Sequence, residues 1–172
     1  GRLGVHEITR KCELTETSVQ TPLESSTGWK LKRPIVLVPI LRAGLGMVEG
    51  IQQLLPQASV GHIGMARNEE TLEPESYYRK MPPDLADADV LLVDPMLATG
   101  NSSAEAARQL RDGGAVRLRF VNLVAAPEGI ERFHADNPNV PIYTACVDHG
   151  LNENGYIVPG LGDAGDRYFG TV

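Results

Sequence analysis

Two tetrapeptides that are apolar at every position, Ile35-Val36-Leu37-Val38 and Val90-Leu91-Leu92-Val93, constrain this chain most. A strand with one wet face alternates apolar and polar residues, so runs like these belong to strands covered on both faces. Further β-rich runs at 60–65, 118–124 and 142–147 follow at a spacing of about 25 to 30 residues, the length of a βα unit. Helical patterns fall between them at 45–55, 102–111 and 128–136, the second stopped by Gly113-Gly114. The expected fold is α/β, a mainly parallel sheet flanked by helices. Residues 66–89, with Pro74, Pro82, Pro83 and Tyr77-Tyr78, read as a long flexible binding loop or lid, and 150–170 as an irregular surface region.

The 172 residues fit one domain, and a 42% hydrophobic fraction supplies a core. A net charge of -6 argues against general affinity for nucleic acid or an anionic membrane. No apolar run approaches the roughly 20 residues that span a bilayer. Cys12 and Cys146 show neither zinc nor redox spacing, which favours a reducing, cytoplasmic setting. The four histidines, His6, His62, His134 and His149, form no i, i+4 pair, and Ser102-Ser103 lacks the elbow of an α/β-hydrolase.

Three segments carry chemistry. In Val93-Asp94-Pro95-Met96-Leu97-Ala98-Thr99-Gly100-Asn101-Ser102, a buried strand ends in a carboxylate and a small-residue turn opens a helix. Such a turn offers unpaired N–H groups and the positive helix end to a phosphate, and Asp94 can accept from sugar hydroxyls. The alternative is that Asp94 is a turn residue and Ser102 a helix cap. In Pro39-Ile40-Leu41-Arg42-Ala43-Gly44-Leu45-Gly46, a cation among glycines suits a polyphosphate. The glycines also imitate a dinucleotide fingerprint, but about 20 residues on, where that motif needs an acid, Arg67 leads. A surface Arg42 beside tightly packed glycines remains the bland alternative. In 156–167, glycines and aspartates predict a tightly wound loop whose backbone reads a planar base and whose Asp163 faces a magnesium-bound water. A solvated turn cluster is the competing reading there.

Together with Met65-Ala66-Arg67-Asn68-Glu69-Glu70-Thr71-Leu72-Glu73-Pro74 and Leu123-Val124-Ala125-Ala126-Pro127-Glu128-Gly129, these segments resemble the uracil phosphoribosyltransferases, a branch of the type I phosphoribosyltransferases. Pro95 stands where other branches usually carry a second acid. The resemblance implies transfer of the phosphoribosyl group of 5-phospho-α-D-ribose 1-diphosphate (phosphoribosyl pyrophosphate) to uracil with magnesium (Mg2+), giving UMP and diphosphate in pyrimidine salvage. By position, Arg42 and Arg67 would meet the diphosphate, and Asp94 to Ser102 the ribose 5-phosphate. Ile157, Gly162, Asp163 and Ala164 would read uracil, with Asp163 also toward the magnesium. Arg42, Asp94 and Asp163 would be the catalytic set, inside a type I fold with a C-terminal base-binding hood.

The same resemblance implies one phosphoribosyltransferase domain over 1–172, lacking part of the family's N-terminal segment, and a homodimer or higher homo-oligomer. Residues 1–34 are expected to match poorly, apart from Glu7-Ile8-Thr9-Arg10. Activation by GTP is not written in these motifs. The rival functions are a non-catalytic uracil or UMP-binding regulator on the same fold and a dinucleotide-dependent oxidoreductase.

Overall fold

The computed structural model describes residues 2–67 and 74–171. Its elements run α1 (Arg2–Thr9), β1 (Leu14–Gln20), β2 (Ser25–Leu31), β3 (Ile35–Leu41), α2 (Leu45–Gln52), β4 (Ser59–Val60), β5 (His62–Arg67) and β6 (Pro74–Lys80). They continue with β7 (Asp89–Val93), β8 (Met96–Leu97), α3 (Asn101–Asp112), β9 (Arg117–Val121), β10 (Val124–Ala125), α4 (Pro127–Asp136) and β11 (Ile142–Tyr143). The last are β12 (Cys146–Val147), β13 (Gly150–Leu151), β14 (Ile157–Val158) and α5 (Ala164–Phe169).

The main sheet has the order β11-β9-β7-β3-β5-β6, with β4 also on β3. Every pairing in it is parallel except β5 with β6. The two apolar runs lie side by side at its centre, Val36 opposite Val90 and Val38 opposite Leu92. Alternation along them divides the core. Val36, Val38, Val90 and Leu92 pack toward Leu110 and Phe133 of α3 and α4, while Ile35, Leu37, Leu91 and Val93 pack toward Ile8 and Ile51 of α1 and α2. This is the expected α/β architecture, with helices on both faces of a mainly parallel sheet.

Several boundaries differ from expectation. The run at 118–124 breaks into β9 and β10, and that at 142–147 into β11 and β12, because the chain bends at the carboxyl edge of the sheet. There β8, β10 and β12 form a second parallel sheet in the order β12-β10-β8. The helix expected over 45–55 is α2 and stops at Gln52, ahead of Pro56, which disfavours helix in the residue before it.

Part of the long segment expected as a loop is a strand: β6 pairs antiparallel with β5 through a register shift at Gly64/Met65. Its Tyr77-Tyr78 pair has strong strand preference, and Pro74 is tolerated at a strand start. Residues 68–73, the middle of that expected lid, lie outside the described residues. The C-terminal stretch is ordered too. β13 and β14 form a hairpin, and α5 is capped by Asp163, whose Oδ1 accepts the Asp166 N–H at 2.8 Å. The tightly wound loop expected over 156–167 therefore gives way to helix at Ala164. Near the N-terminus, β1 and β2 form an antiparallel hairpin that the sequence reading did not anticipate.

Candidate active site

A crevice of about 310 Å³ opens above the carboxyl edge of β7 and β8. Asp94, Met96, Ala98, Thr99, Gly100, Ser102 and Ser103 form one wall, and Gly155, Tyr156, Ile157, Gly162, Asp163, Ala164 and Gly165 the other, with Ala43 between. This is where open α/β sheets place ligands, just beyond the strand ends.

The first wall is shaped by a short chain of backbone constraints. Asp94 N–H donates to the Val121 carbonyl at 3.1 Å, holding β7 against β9 past its last paired residue. Asp94 Oδ1 accepts the Met96 N–H at 3.2 Å and turns the chain into β8. Gly100 follows with φ 81°, a conformation that suits glycine, and caps α3 without a side-chain bond. Ser103 Oγ donates back to the Gly100 carbonyl at 3.1 Å. The first bond closed within the helix is Ala104 N–H to the Gly100 carbonyl at 2.9 Å, so the preceding N–H groups have no helical partner. Beneath this turn runs the start of α4. A Cβ at Gly100 would lie 2.6 Å from the Gly129 carbonyl, and a Cβ at Gly129 would strike the Leu97 and Ala98 carbonyls. Two bare backbones in contact fix the turn's position.

The opposite wall is built from β14 and the approach to α5. Ile157 is 3% exposed and packs with Val124 and Ala126, which anchors the hairpin to the sheet edge. Asn152 Oδ1 accepts the N–H groups of Asn154 and Tyr156, and Asp148 Oδ2 accepts that of Gly160 at 2.9 Å. Glu128 Oε1, in the first turn of α4, accepts the Leu151 N–H at 3.2 Å. One helix thus supports both walls. Gly129, Glu128, Gly155 and Tyr156 were not among the expected site residues. Only the Ala126-Pro127-Glu128-Gly129 helix start hinted at the first two, since contacts across the crevice have no signature in local spacing.

The crevice gathers ten of the expected residues: Asp94, Met96, Ala98, Thr99, Gly100, Ser102, Ile157, Gly162, Asp163 and Ala164. The others stand apart from its lining. Leu97 is 1% exposed, its side chain in the core, and Pro95 is buried against a neighbouring apolar cavity. Asn101 turns its Oδ1 to Arg132 Nε at 3.0 Å. Arg42 does not line the crevice either. Its Nη2 donates to Asp166 Oδ1 at 3.0 Å and to Thr171 Oγ1 at 3.4 Å, and its guanidinium carbon lies 5.8 Å from the Phe169 ring centroid. Arg67 ends β5 by its backbone, and its side chain lies outside the described residues.

Burial pushes the Asp94 carboxyl up to about 7; the Met96 N–H opposes this and the Asp163 charge adds to it. Two acidic groups meeting in one crevice make a site that favours cations or polyhydroxyl ligands. Among the described residues, no three His, Cys, Asp or Glu side chains cluster as a ligand set. His134 instead lies 3.2 Å from the Val140 carbonyl, outside the crevice. Among them, too, no helix is long and apolar enough to cross a membrane.

A family model described as uracil phosphoribosyltransferase matches residues 1–171. A uracil phosphoribosyltransferase of Acholeplasma laidlawii is 56% identical over 171 residues, covering 99% of this chain and 82% of that protein. One from Ureaplasma urealyticum is 51% identical over 171 residues, with 99% and 83% covered. The solved structure of the AQ2163 protein from Aquifex aeolicus superimposes with a TM-score of 0.91 at 41% identity, over 99% of this chain and 83% of that one. A hypoxanthine-guanine phosphoribosyltransferase from Bacillus anthracis shares the fold alone, with a TM-score of 0.62 at 13% identity, over 88% of this chain and 76% of that one. These matches include residues 1–34, which were expected to fall outside the likeness. An exposed hairpin with few apolar residues gives little for motif reading to hold.

Proposed function

The chain belongs to the uracil phosphoribosyltransferase family, and on that premise we propose that it transfers the phosphoribosyl group of 5-phospho-α-D-ribose 1-diphosphate to uracil, giving UMP and diphosphate. The observation that carries the reading is the meeting of Asp94, the turn at 98–103 and the turn at 162–165 around one crevice. A phosphate, a ribose and a planar base need these three kinds of surface side by side.

Each wall has a task. The N–H groups of the turn at 98–103 and the hydroxyls of Thr99 and Ser102 hold the 5-phosphate at the positive end of α3. Asp94, at the base of that turn, accepts from the ribose hydroxyls and fixes the sugar. The backbone of Gly162 to Ala164, braced by the Asp163 cap, reads the uracil edge, while buried Ile157 supports the base. Departure of diphosphate leaves oxocarbenium character on the anomeric carbon, and charge accumulates on the leaving oxygens. Arg42 and Arg67 are the cations assigned to that charge.

Asp94 and Asp163, both at the crevice, fit a magnesium ion that arrives on the diphosphate, since magnesium is commonly held by one or two carboxylates plus substrate phosphates. When bound, magnesium supplies charge neutralisation at the leaving group. No histidine lines the crevice among the described residues, so no histidine is assigned as base for uracil N1.

The reading extends to a homodimer or larger homo-oligomer in the cytoplasm. The β1–β2 hairpin supports the first part: an isolated two-stranded sheet is marginal in water, and this one exposes Leu14, Val19 and Trp29. Two free cysteines support the second. Incubation with uracil, phosphoribosyl pyrophosphate and magnesium, followed by chromatography for UMP, tests the reaction. Tight UMP binding without turnover would favour a regulator instead, and NADH binding by fluorescence an oxidoreductase.

A further inference from the structure

Asp166, in the first turn of α5, serves several neighbours at once. Its N–H donates to Asp163 Oδ1 at 2.8 Å, and its carbonyl accepts from the Gly170 N–H at 2.7 Å and the Thr171 N–H at 3.1 Å. These bonds fix its backbone whatever its side chain does. The carboxylate Oδ1 then accepts from Arg42 Nη2 at 3.0 Å and from Thr171 Oγ1 at 2.7 Å. Arg42 is thereby held at one corner, with the Phe169 ring beside its guanidinium. Its Nε and Nη1 have no hydrogen-bond partner among the described residues.

The pair is solvated, with side-chain exposures of 54% and 37%, and exposed ion pairs add little to stability. Its consequence is geometric. An arginine tethered at Nη2 and resting near a ring loses rotamer freedom before a ligand arrives, while its Nε–H and Nη1–H groups still offer donors to an anion. Ala43, the next residue, lines the crevice, so the backbone that carries Arg42 adjoins the site.

We propose that Asp166 is a positioning residue for the diphosphate: it holds Arg42 by Nη2 so that the guanidinium's remaining donors receive the leaving group. The inference rests on the phosphoribosyl transfer reading above.

The test compares Asp166→Ala, Asp166→Asn, Arg42→Ala and the Asp166→Ala/Arg42→Ala double variant with the parent chain. KM is measured for each substrate, and magnesium diphosphate binding is measured by calorimetry. Asp166→Ala is expected to raise KM for phosphoribosyl pyrophosphate and weaken diphosphate binding about tenfold, the scale of one charge-assisted contact. KM for uracil should stay within about twofold, because the backbone bond to Asp163 persists. Asp166→Asn should lose less, since its amide oxygen can still accept from Nη2, and it carries the test if Asp166→Ala does not fold. In the Arg42→Ala background, loss of Asp166 should add nothing. Unchanged or tighter diphosphate binding in Asp166→Ala overturns the proposal, as does an equal further loss in the Arg42→Ala background, which marks a purely structural role. A parent chain that binds diphosphate but makes no UMP sinks the transfer reading while the Arg42 cycle still decides positioning. One that binds no diphosphate overturns the proposal.

Discussion

Asp94 and Asp163 stand close enough across the crevice that the charge of the second resists ionisation of the first. Burial is the larger cause, and together they raise Asp94 from 3.8 to about 7. A carboxyl with a raised folded pKa favours the protonated folded state. The stability it confers is complete below about pH 4 and is lost as pH rises through about 7. The ligand-free parent chain should therefore melt lower at pH 8 than at pH 5, and Asp94→Asn should flatten that decline. Parallel melting curves for the two proteins across this range would remove the raised carboxyl from the account.

Arg42→Ala should lower turnover by roughly 10²-fold or more, the scale seen when one donor to a developing negative charge is removed. Steady-state kinetics with saturating substrates measure it. Unchanged turnover would take Arg42 out of the mechanism.

Uracil presents an acceptor at O4 and a donor at N3, and cytosine reverses both. A backbone reader at Gly162 to Ala164 cannot rearrange to suit, and sites of this kind discriminate by about 10⁴. Competition assays should show kcat/KM for cytosine lower by about that factor. Comparable values would mean that the base is read elsewhere.

Gly129→Ala places a methyl against the Leu97 and Ala98 carbonyls, under the phosphate turn. Forced overpacking costs about 1 to 3 kcal/mol. Denaturant titration should show that loss, together with a higher KM for phosphoribosyl pyrophosphate. A variant with parental stability and KM would show that the turn and α4 move independently.

Asp89, 4% exposed at the start of β7, is paired at 2.8 Å with Arg119 of the adjacent β9. Arg119→Ala leaves that carboxylate buried without its cation and should cost about 3 to 5 kcal/mol. Urea unfolding checks this, and a loss below about 1 kcal/mol, the scale of an exposed pair, would contradict it.

Much of this molecule was legible before its structure. The runs at 35–38 and 90–93 announced central strands because burial on both faces erases alternation, and Asp94 with its small-residue turn announced a strand-end turn that the structure places on the crevice. What escaped notice was either polar or remote. β6 carries a proline and several charges, which read as loop until the strand is paired with β5. The β1–β2 hairpin is rich in Ser and Thr, so no apolar face marked it. Helix α5 hid among glycines and aspartates. The tethering of Arg42 by Asp166 joins residues more than a hundred positions apart, a distance that no local pattern spans.

One of the two edge strands of the main sheet has a bearing on solubility. β6 ends the strand order and carries Pro74, Arg79 and Lys80, while Arg79 Nη2 reaches back to the Gln109 carbonyl at the last turn of α3. Proline withholds a ladder donor, and adjacent cations repel another strand of the same kind. A rim built this way is a poor template for fibril growth, so crowded copies of the chain are discouraged from stacking edge to edge.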